Sequence, residues 1–371
     1  MVNSTTRAFG SPFRYIQGPD EFNNLAEYAS QYGTKLFVLI DGFLFDELSA
    51  RLADIFADSD CQVVCETFGG ECSEAEVQRV TSLVRSAGAN IIAGVGGGKT
   101  LDTAKLVAAN ESMPTFILPT SASTDAPTSS LSVVYNEKGE HLYSKSHKRG
   151  SDLILVDTKI IAKAPVRLFA AGIGDALSTY YEARANAQSD TANYIGKGYR
   201  RTLAAMAIAE KCRDILFENG VRAVNDIKAG ALTEAVENVI EANILLSGLG
   251  FENTGCAGAH SVHTGIHEIP GTNKYFHGEM VAFGIVFQLV LENDREDELD
   301  EVLDLLTTVG LPVTLKQIGV DPTPENIAII ADRICDGNSG VEAEPFLINY
   351  DTVYNALISA DAIGREWLGE E

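Results

Sequence analysis

Four of the six histidines lie between residues 260 and 277, and their spacing points to metal chemistry. His260, His263 and His267 recur every three or four residues, which places them on one face of a predicted helix. His277 follows them, and Asp175 stands near the start of an earlier predicted helix. Imidazoles and a carboxylate together form a common three-ligand site for a divalent metal ion with one open position. A set of unrelated histidines, some buried and some exposed, explains the same spacing equally well.

A second candidate site is a glycine-rich turn. The segment Ile91–Lys105 (IIAGVGGGKTLDTAK) reads as a strand, a tight turn and a helix that begins near Lys99 and Thr100. The first amides of such a helix have no partner within it, so they suit a pyrophosphate. The turn matches neither the Walker A loop nor the usual Rossmann pattern, because Ala93 and Lys99 stand where these motifs need glycine. A glycine turn that binds no ligand is the alternative.

Two further segments are expected beside this turn. Asp41 directly follows the apolar run Lys35–Ile40, and a carboxylate there is well placed to bind a ribose. A simple turn aspartate is the alternative. The loop Thr120–Asp125 follows another predicted strand, Thr115–Leu118. Because ligands bind at the carboxyl ends of parallel strands, Asp41, the glycine turn and this loop are predicted to share one edge of a sheet.

The elements that must position these residues fall into two classes. Strands at 13–17, 35–40, 62–67, 115–118 and 153–156 alternate with helices, which predicts a parallel, doubly wound α/β sheet. The runs 131–135 and 141–144 suggest a β-hairpin, and Ser73 with Glu76 forms the pattern of a capping box. From Pro165 onward the chain reads as almost entirely helical. We therefore predict an α/β domain over residues 1–163 and a helical domain over residues 164–371.

Composition narrows the class of protein. The chain has 371 residues and carries 28 basic against 52 acidic side chains, a formal charge of −24, which disfavours nucleic acid and anionic membranes as partners. Its six cysteines match neither a zinc finger nor a CxxC redox motif, so reduced thiols are expected. The first residues lack the apolar core of a signal peptide, and the longest apolar run, Met280–Leu291, is too short to span a bilayer. These features predict a cytoplasmic protein.

Several long motifs occur together and in order: GVGGGKTLDTAK, PTSASTDAPTSSLSVVY, VDTKIIAKAPVRLFAAGIGDAL, GAHSVHTG and FHGEMVAFG. On these motifs the chain resembles, over nearly its whole length, the glycerol dehydrogenases of the group III, iron-containing, alcohol dehydrogenase superfamily. The resemblance implies an N-terminal dinucleotide-binding α/β domain with a parallel sheet. It also implies a C-terminal all-helical domain that binds metal and substrate, with the active site in the cleft between the two.

The resemblance also implies roles for individual residues. Asp175, His260 and His277 would be the ligands of a zinc ion, and Asp125 would hold a substrate hydroxyl, so these four form the implied catalytic and substrate-binding set. Asp41 would bind the adenosine ribose. The complete implied NAD site comprises Asp41, Gly98, Lys99, Thr120, Ser123, Ser129, Leu131 and Tyr135.

The implied activity is the NAD-dependent oxidation of glycerol, and of related vicinal diols, by hydride transfer from a zinc-bound alkoxide. The product of glycerol would be dihydroxyacetone, and the enzyme is expected to be a homo-oligomer, possibly an octamer. Iron-dependent relatives carry a histidine four residues after the ligand aspartate, whereas Thr179 stands there in this chain, which favours zinc. His267 is expected to be an exposed helix residue, and His263 to contact substrate or to support a ligand.

Other activities on the same fold are alternatives. A glycerol-1-phosphate dehydrogenase or a dehydroquinate-synthase-like cyclase would need a cluster of basic side chains for its anionic substrate. The segments expected at the site, 120–130 and 255–278, contain a single lysine, Lys274, and no arginine. A nucleotide-binding protein without activity is a second alternative and would require the histidine pattern to be accidental. The physiological diol depends on the pocket volume, which the sequence does not reveal.

Overall fold

The computed structural model describes residues 5–137, 139–293 and 296–370. It divides into two compact units. The first, here called the α/β unit, contains residues 11–122 and 126–164. The second, called the helical unit, contains the described residues from Pro165 onward, together with residues 5–10 and the short segment Ser123–Asp125. The assignment of this short segment to the helical unit is not visible in the sequence pattern.

The α/β unit is built on parallel strands. Its strands are β1 Tyr15–Gly18, β2 Lys35–Ile40, β3 Gln62–Thr67, β4 Ile91–Gly96, β5 Thr115–Pro119, β6 Leu131–Tyr135, β7 His141–Ser146 and β8 Leu153–Asp157. Six of these described strands form one wholly parallel sheet in the order β1-β8-β5-β4-β2-β3. The other two, β6 and β7, pair as an antiparallel hairpin. The predicted parallel α/β fold and the hairpin are confirmed.

Helices cover both faces of the sheet: α1 Leu25–Ser30, α2 Phe45–Phe56, α3 Glu74–Ala87, α4 Gly98–Glu111 and α5 Thr158–Lys163. One face of β2 packs with Leu48 and Leu52 of α2, and the other face packs with Val80 of α3 and Val107 of α4. Every residue of β4, β5 and β8 is buried. Burial on both faces explains why these strands are continuous apolar runs.

The order of the strands reverses direction between β2 and β4. From β2 the chain moves outward to β3, and it then returns to the other side of β2 as β4. Dinucleotides bind at the carboxyl ends of strands at such a switch point. Here Asp41, just after β2, accepts hydrogen bonds from the Gly97 amide at 2.8 Å and the Thr100 hydroxyl at 2.5 Å. The predicted proximity of Asp41 to the glycine turn is therefore present.

The predicted start of α3 is only partly correct in its details. Ser73 accepts a hydrogen bond from the Glu76 amide, as a capping serine should. The Glu76 carboxylate does not complete a capping box, because it binds the Gly69 amide at 2.8 Å and the Arg79 guanidinium at 2.7 Å. The Gly69 amide, seven residues earlier, and the Arg79 guanidinium, three residues later on α3, compete successfully for this side chain.

The helical unit is almost free of strands in the described residues, apart from an isolated bridge between Arg7 and Arg200. Its helices are α6 Val166–Ser189, α7 Leu203–Lys228, α8 Glu234–Glu241, α9 Ser247–Thr254, α10 Gly258–Ile266, α11 His277–Glu292, α12 Glu296–Val309, α13 Pro324–Ile334 and α14 Tyr350–Trp367. A π-helical turn, Ala242–Leu246, joins α8 to α9. A helix that would cross a bilayer is not found among the described residues.

Helix α11 is buried along most of its length and packs closely against α6 and α10. Glycines make this approach possible. A Cβ on Gly278 would lie 1.8 Å from the Ala171 carbonyl oxygen of α6, and one on Gly284 would lie 2.1 Å from the Ala259 carbonyl oxygen of α10. Since no side chain fits at such distances, these glycines fix how closely the three helices can approach each other.

Substitution of Gly284 tests this constraint. We expect Gly284→Ala to lower the free energy of unfolding by about 1–3 kcal/mol, because the added methyl must push α10 away from α11. Gly220→Ala is the matched control in the interior of α7, where the nearest atom, on Leu305, would lie 3.5 Å from the new Cβ. Alanine is favoured over glycine in a helix by about 1 kcal/mol, so the control is expected to be neutral or stabilising. Urea unfolding measures both, and equal changes would disprove the constraint.

Candidate active site

Three side chains from three helices of the helical unit converge on one point: Asp175 of α6, His260 of α10 and His277, the first residue of α11. The Oδ1 atom of Asp175 lies 3.1 Å from Nε2 of His277 and 3.5 Å from Nε2 of His260. The two Nε2 atoms lie 3.2 Å apart. The structure therefore brings together the three residues for which the sequence predicted a metal site.

These separations fit a metal ion. Ligand atoms bound at about 2.0–2.2 Å around a tetrahedral ion lie roughly 3.3–3.6 Å from one another. The three observed distances of 3.1, 3.2 and 3.5 Å are close to this spacing. One carboxylate and two imidazoles suit zinc, iron and other divalent transition metals, so the donors alone do not select the metal.

The electrostatics of the cluster also favour a cation. Burial raises the pKa of Asp175, but the charge of His277 and hydrogen bonds from both histidines outweigh it, so the pKa lies below its ordinary value. Burial lowers the pKa of His260, but the charge of Glu182 and a hydrogen bond to Asp175 hold this pKa well above its ordinary value. The buried, negatively charged surroundings thus attract positive charge, which a divalent cation supplies.

Asp125 lies directly beside this cluster. Its backbone amide donates a hydrogen bond to Oδ2 of Asp175 at 3.1 Å. Its carboxylate accepts a hydrogen bond from the Ser247 hydroxyl at 3.0 Å, and that hydroxyl lies 3.1 Å from the hydroxyl of Thr179. The segment Ser123–Asp125, which is part of the helical unit, thus contacts Asp175 through the Asp125 amide. The hydroxyl of Thr179 is engaged with that of Ser247.

Glu182 orients His260, a role that the sequence pattern did not predict. Its Oε2 lies 2.7 Å from Nδ1 of His260, while its Oε1 accepts hydrogen bonds from the amides of Ala257 and His260 at 2.8 and 2.9 Å. A carboxylate on Nδ1 keeps that nitrogen protonated and leaves the Nε2 lone pair for a metal. Glu182 follows Asp175 by seven residues, two helical turns on the same face of α6, and this spacing was the available signal.

Two more side chains accept hydrogen bonds from the buried amides at the start of α10. The Gly258 amide donates to Glu344 and the Ala259 amide donates to Gln288, both at 3.0 Å. The second oxygen of Glu344, Oε2, has no hydrogen-bond partner in the part of the chain that the structure describes. Burial, with a contribution from the charge of Glu292, raises the pKa of Glu344 to about 8. Glu344 is therefore protonated at neutral pH.

The other two clustered histidines lie next to the Asp175 cluster. The rings of His263 and His277 pack edge to face, with their centroids 4.2 Å apart. His267 is exposed, as the sequence predicted, and directly follows the last residue of α10. The structure thus places the His263 ring beside that of His277.

Most of the predicted cofactor residues lie in the α/β unit. Gly98 and Lys99 are the first two residues of α4, at the switch point of the sheet. The Lys99 ammonium lies 2.6 Å from a Glu71 carboxylate oxygen and 4.7 Å above the centre of the Tyr135 ring. The Thr120 amide, just after β5, donates to the Gly96 carbonyl at 3.1 Å. Ser129 is buried before β6, Leu131 and Tyr135 are the ends of β6, and Ser123 lies in the helical unit.

A buried lysine of α4, Lys105, binds the segment that carries Ser129, Leu131 and Tyr135. Lys105 is 4% exposed and lies 3.2 Å from the Asp102 carboxylate, one turn earlier on α4. Its ammonium also donates to the carbonyl oxygens of Ala126 and Leu131. The sequence pattern did not predict this pair. Two opposite charges three residues apart in the buried part of α4 were the available local signal.

Known proteins resemble this chain over nearly its whole length. The family profile of iron-containing alcohol dehydrogenases matches residues 12–158. Glycerol dehydrogenase of Citrobacter freundii is 40% identical over 96% of this chain and 98% of that protein. Glycolaldehyde reductase of Halobacterium salinarum is 39% identical over 97% and 98% of the two chains. The crystal structure of a probable glycerol dehydrogenase from Sinorhizobium meliloti 1021 is 44% identical and superimposes with a TM-score of 0.91, covering 97% of this chain and 99% of that one.

The raised pKa of Glu344 makes stability depend on pH. The group titrates near 4.5 when unperturbed and at about 8 in the folded chain, so the folded state binds the extra proton between these values. Its stabilising contribution is complete at low pH and is lost as the pH rises through this window, by at most about 1.4 kcal/mol per pH unit. We expect Glu344→Gln to lose less stability than wild type between pH 6 and pH 9 in urea unfolding.

The matched control for this experiment is Glu325→Gln, at an exposed position in the first turn of α13. This variant should follow the pH profile of the wild type. An unchanged slope in Glu344→Gln would show that Glu344 is ionised throughout the window.

Proposed function

Because this chain belongs to the iron-containing alcohol dehydrogenase family, we propose that it oxidises glycerol to dihydroxyacetone with NAD as the hydride acceptor. The chain is an oxidoreductase of the glycerol dehydrogenase type. The observation that carries the proposal is the convergence of Asp175, His260 and His277, with Asp125 bound to the same cluster. Related vicinal diols are included in the proposed substrate range.

The metal we propose is zinc, held by Asp175, His260 and His277. A zinc ion bound there would supply a Lewis acid that lowers the pKa of a hydroxyl group or polarises a carbonyl. Zinc is supported over iron by Thr179, whose hydroxyl contacts Ser247 at the position of the additional histidine in iron-dependent relatives. Three protein ligands with one open position are typical of catalytic zinc.

The surrounding side chains orient the reacting groups. Glu182 holds His260 so that Nε2 faces the cluster, and the Asp125 amide holds the second oxygen of Asp175. A carboxylate has about four acceptor positions, so the bond from Ser247 leaves Asp125 able to accept a substrate hydroxyl as well. Asp125 would therefore recognise the hydroxyl adjacent to the one that is oxidised, which selects vicinal diols.

On the cofactor side, we propose that the α4 amides bind the pyrophosphate and that Asp41 binds the adenosine ribose. Gly98, Lys99, Thr120, Ser123, Ser129, Leu131 and Tyr135 would line the rest of the NAD site. The carboxylate of Asp41 would repel the additional phosphate of NADP, which favours NAD. In this proposal residues 1–163 bind the dinucleotide, and residues 164–371 bind the metal and the substrate.

We also propose that the enzyme is a cytoplasmic homo-oligomer, with an octamer among the expected forms. Large apolar side chains are exposed at several places, among them Leu347 at 85%, Phe43 at 82% and Leu203 at 80%. Burial of such side chains between subunits would favour association. The six cysteines are free thiols, which fits a reducing compartment.

A second candidate is the reduction of glycolaldehyde. It is favoured by the likeness to the Halobacterium salinarum enzyme of that name. Reduction of a 2-hydroxyaldehyde uses the same site in the opposite direction, with Asp125 bound to the 2-hydroxyl group. The two candidates therefore differ in substrate and direction, and both are tested by the assay that follows.

The first experiment is an assay of the purified enzyme with NAD and glycerol, before chelation, after chelation and after return of zinc or iron. We expect chelation to abolish formation of NADH and zinc to restore it. His277→Ala should lose activity and bound metal by more than the ~10–100-fold typical of a residue that only supports a ligand. Activity with glycolaldehyde and NADH alone would favour the second candidate, and activity with glycerol 1-phosphate alone would overturn both.

Asp125 is tested through substrate specificity. We expect Asp125→Asn to lower kcat/KM for glycerol by ~10–100-fold, since a lost hydrogen bond to a charged group is worth about 1.5–3 kcal/mol. The KM for NAD should change less than the KM for glycerol. Asp54→Asn, at an exposed position on α2, is the control and should behave as wild type. Equal effects on both KM values would place Asp125 in the cofactor site.

A further inference from the structure

His263 and His267 form a pair one helical turn apart at the end of α10. Their Nε2 atoms lie 2.9 Å from each other, and their ring planes are perpendicular, with the centroids 4.5 Å apart. Residues at i and i+4 share one face of a helix, so the backbone itself holds the two rings together. The pair is thus a fixed arrangement of two imidazole nitrogens that the proposed function does not use.

We propose that His263 and His267 form a second site for a divalent transition-metal ion. A neutral imidazole protonated on Nδ1 offers its Nε2 lone pair, and here the two Nε2 atoms already face each other. Their separation is slightly shorter than the roughly 3.3 Å expected between two nitrogen ligands of a tetrahedral ion, so a small ring rotation opens the pair to the metal. Imidazole ligands suit Zn²⁺, Cu²⁺ and Ni²⁺ rather than Mg²⁺ or Ca²⁺.

The surroundings indicate a weaker site than the first one. His267 is exposed and His263 is half-buried, so water must complete the coordination. Two protein ligands give a smaller chelate than the three of the Asp175 cluster, and they lack its buried carboxylate. The formal charge of −24 raises the concentration of cations near the surface and so favours occupancy.

The position of the pair gives the site a consequence for turnover. The His263 ring packs edge to face on the His277 ring, 4.2 Å between centroids. An ion on the pair is therefore held beside a proposed ligand of the first metal, and two divalent cations repel each other. Excess zinc should inhibit the enzyme through this pair. This consequence rests on the proposed function, whereas the existence of the second site does not.

The experiment measures Zn²⁺ binding to the full-length enzyme that already holds its first metal. Equilibrium dialysis with elemental analysis gives the stoichiometry, and calorimetry gives the affinity. We expect wild type to bind one further Zn²⁺ per chain, and His267→Gln to bind it at least ~10-fold more weakly, a loss of about 1.4 kcal/mol. His141→Gln, an exposed histidine on β7 that lies 3.2 Å from the Ser144 hydroxyl, is the matched control and should bind as wild type.

The outcomes separate this site from the proposed function. Wild type that binds no further Zn²⁺, or His267→Gln that binds it as tightly as wild type, would overturn the second site. Inhibition by excess zinc should be present in wild type and His141→Gln and absent in His267→Gln. If the wild-type enzyme binds the further Zn²⁺ through His267 but does not oxidise glycerol, the second site is supported and the proposed function is rejected. Mg²⁺ should not compete for it.

Discussion

The buried start of α10 is the constraint on which the candidate active site depends. A helix leaves its first amides without partners, and each buried amide that stays unpaired costs about 1–3 kcal/mol. Here Glu182, Glu344 and Gln288 accept these hydrogen bonds from the amides of residues 257–260. Glu182 also binds Nδ1 of His260, so the side chain that closes the helix is the one that aims the imidazole.

Backbone contacts also position the other two residues of the cluster. Gly278 directly follows His277 and packs against the backbone of α6 near Asp175, while Gly284 packs against α10 next to His260. The close approach of the three helices therefore sets how near Asp175, His260 and His277 lie to one another. Rigid elements hold a metal site more accurately than loops do. A lone loop segment, Ser123–Asp125, is added to this frame through the bond between the Asp125 amide and Asp175.

The sequence predicted those parts that depend on local pattern. Strands Lys35–Ile40 and Gln62–Thr67 have the predicted bounds. The first is buried from Leu36 to Ile40 and forms an unbroken apolar run, as a central parallel strand does. His260 and His277 were found because histidine is rare in this chain and its chemistry is distinctive. Asp175 was found next to a glycine-containing run, but it lies well inside α6, which begins at Val166, and not near a helix start as predicted. Glu182 and Lys105 were missed, since they bind His260 and Leu131, which are distant in sequence. The departure of Glu76 from a capping box is a local competition, because its partners Gly69 and Arg79 lie only seven and three residues away.

The first amides of a helix have no partner within it, and the starts of α10 and α4 pair these amides with different groups. At α10 the backbone amides donate to buried Glu and Gln side chains. The positive end of the helix dipole therefore stabilises the Glu182 carboxylate, which in turn orients His260. At α4 the N-cap residue Gly97 has no side chain to cap the helix, and Asp41, which follows β2, accepts a hydrogen bond from its amide. The amides of Gly98 and Lys99 come next, and they are the ones that we propose for the pyrophosphate. The start of the helix that carries His260 is therefore closed to anions, whereas the start of α4 is the one proposed for an anion.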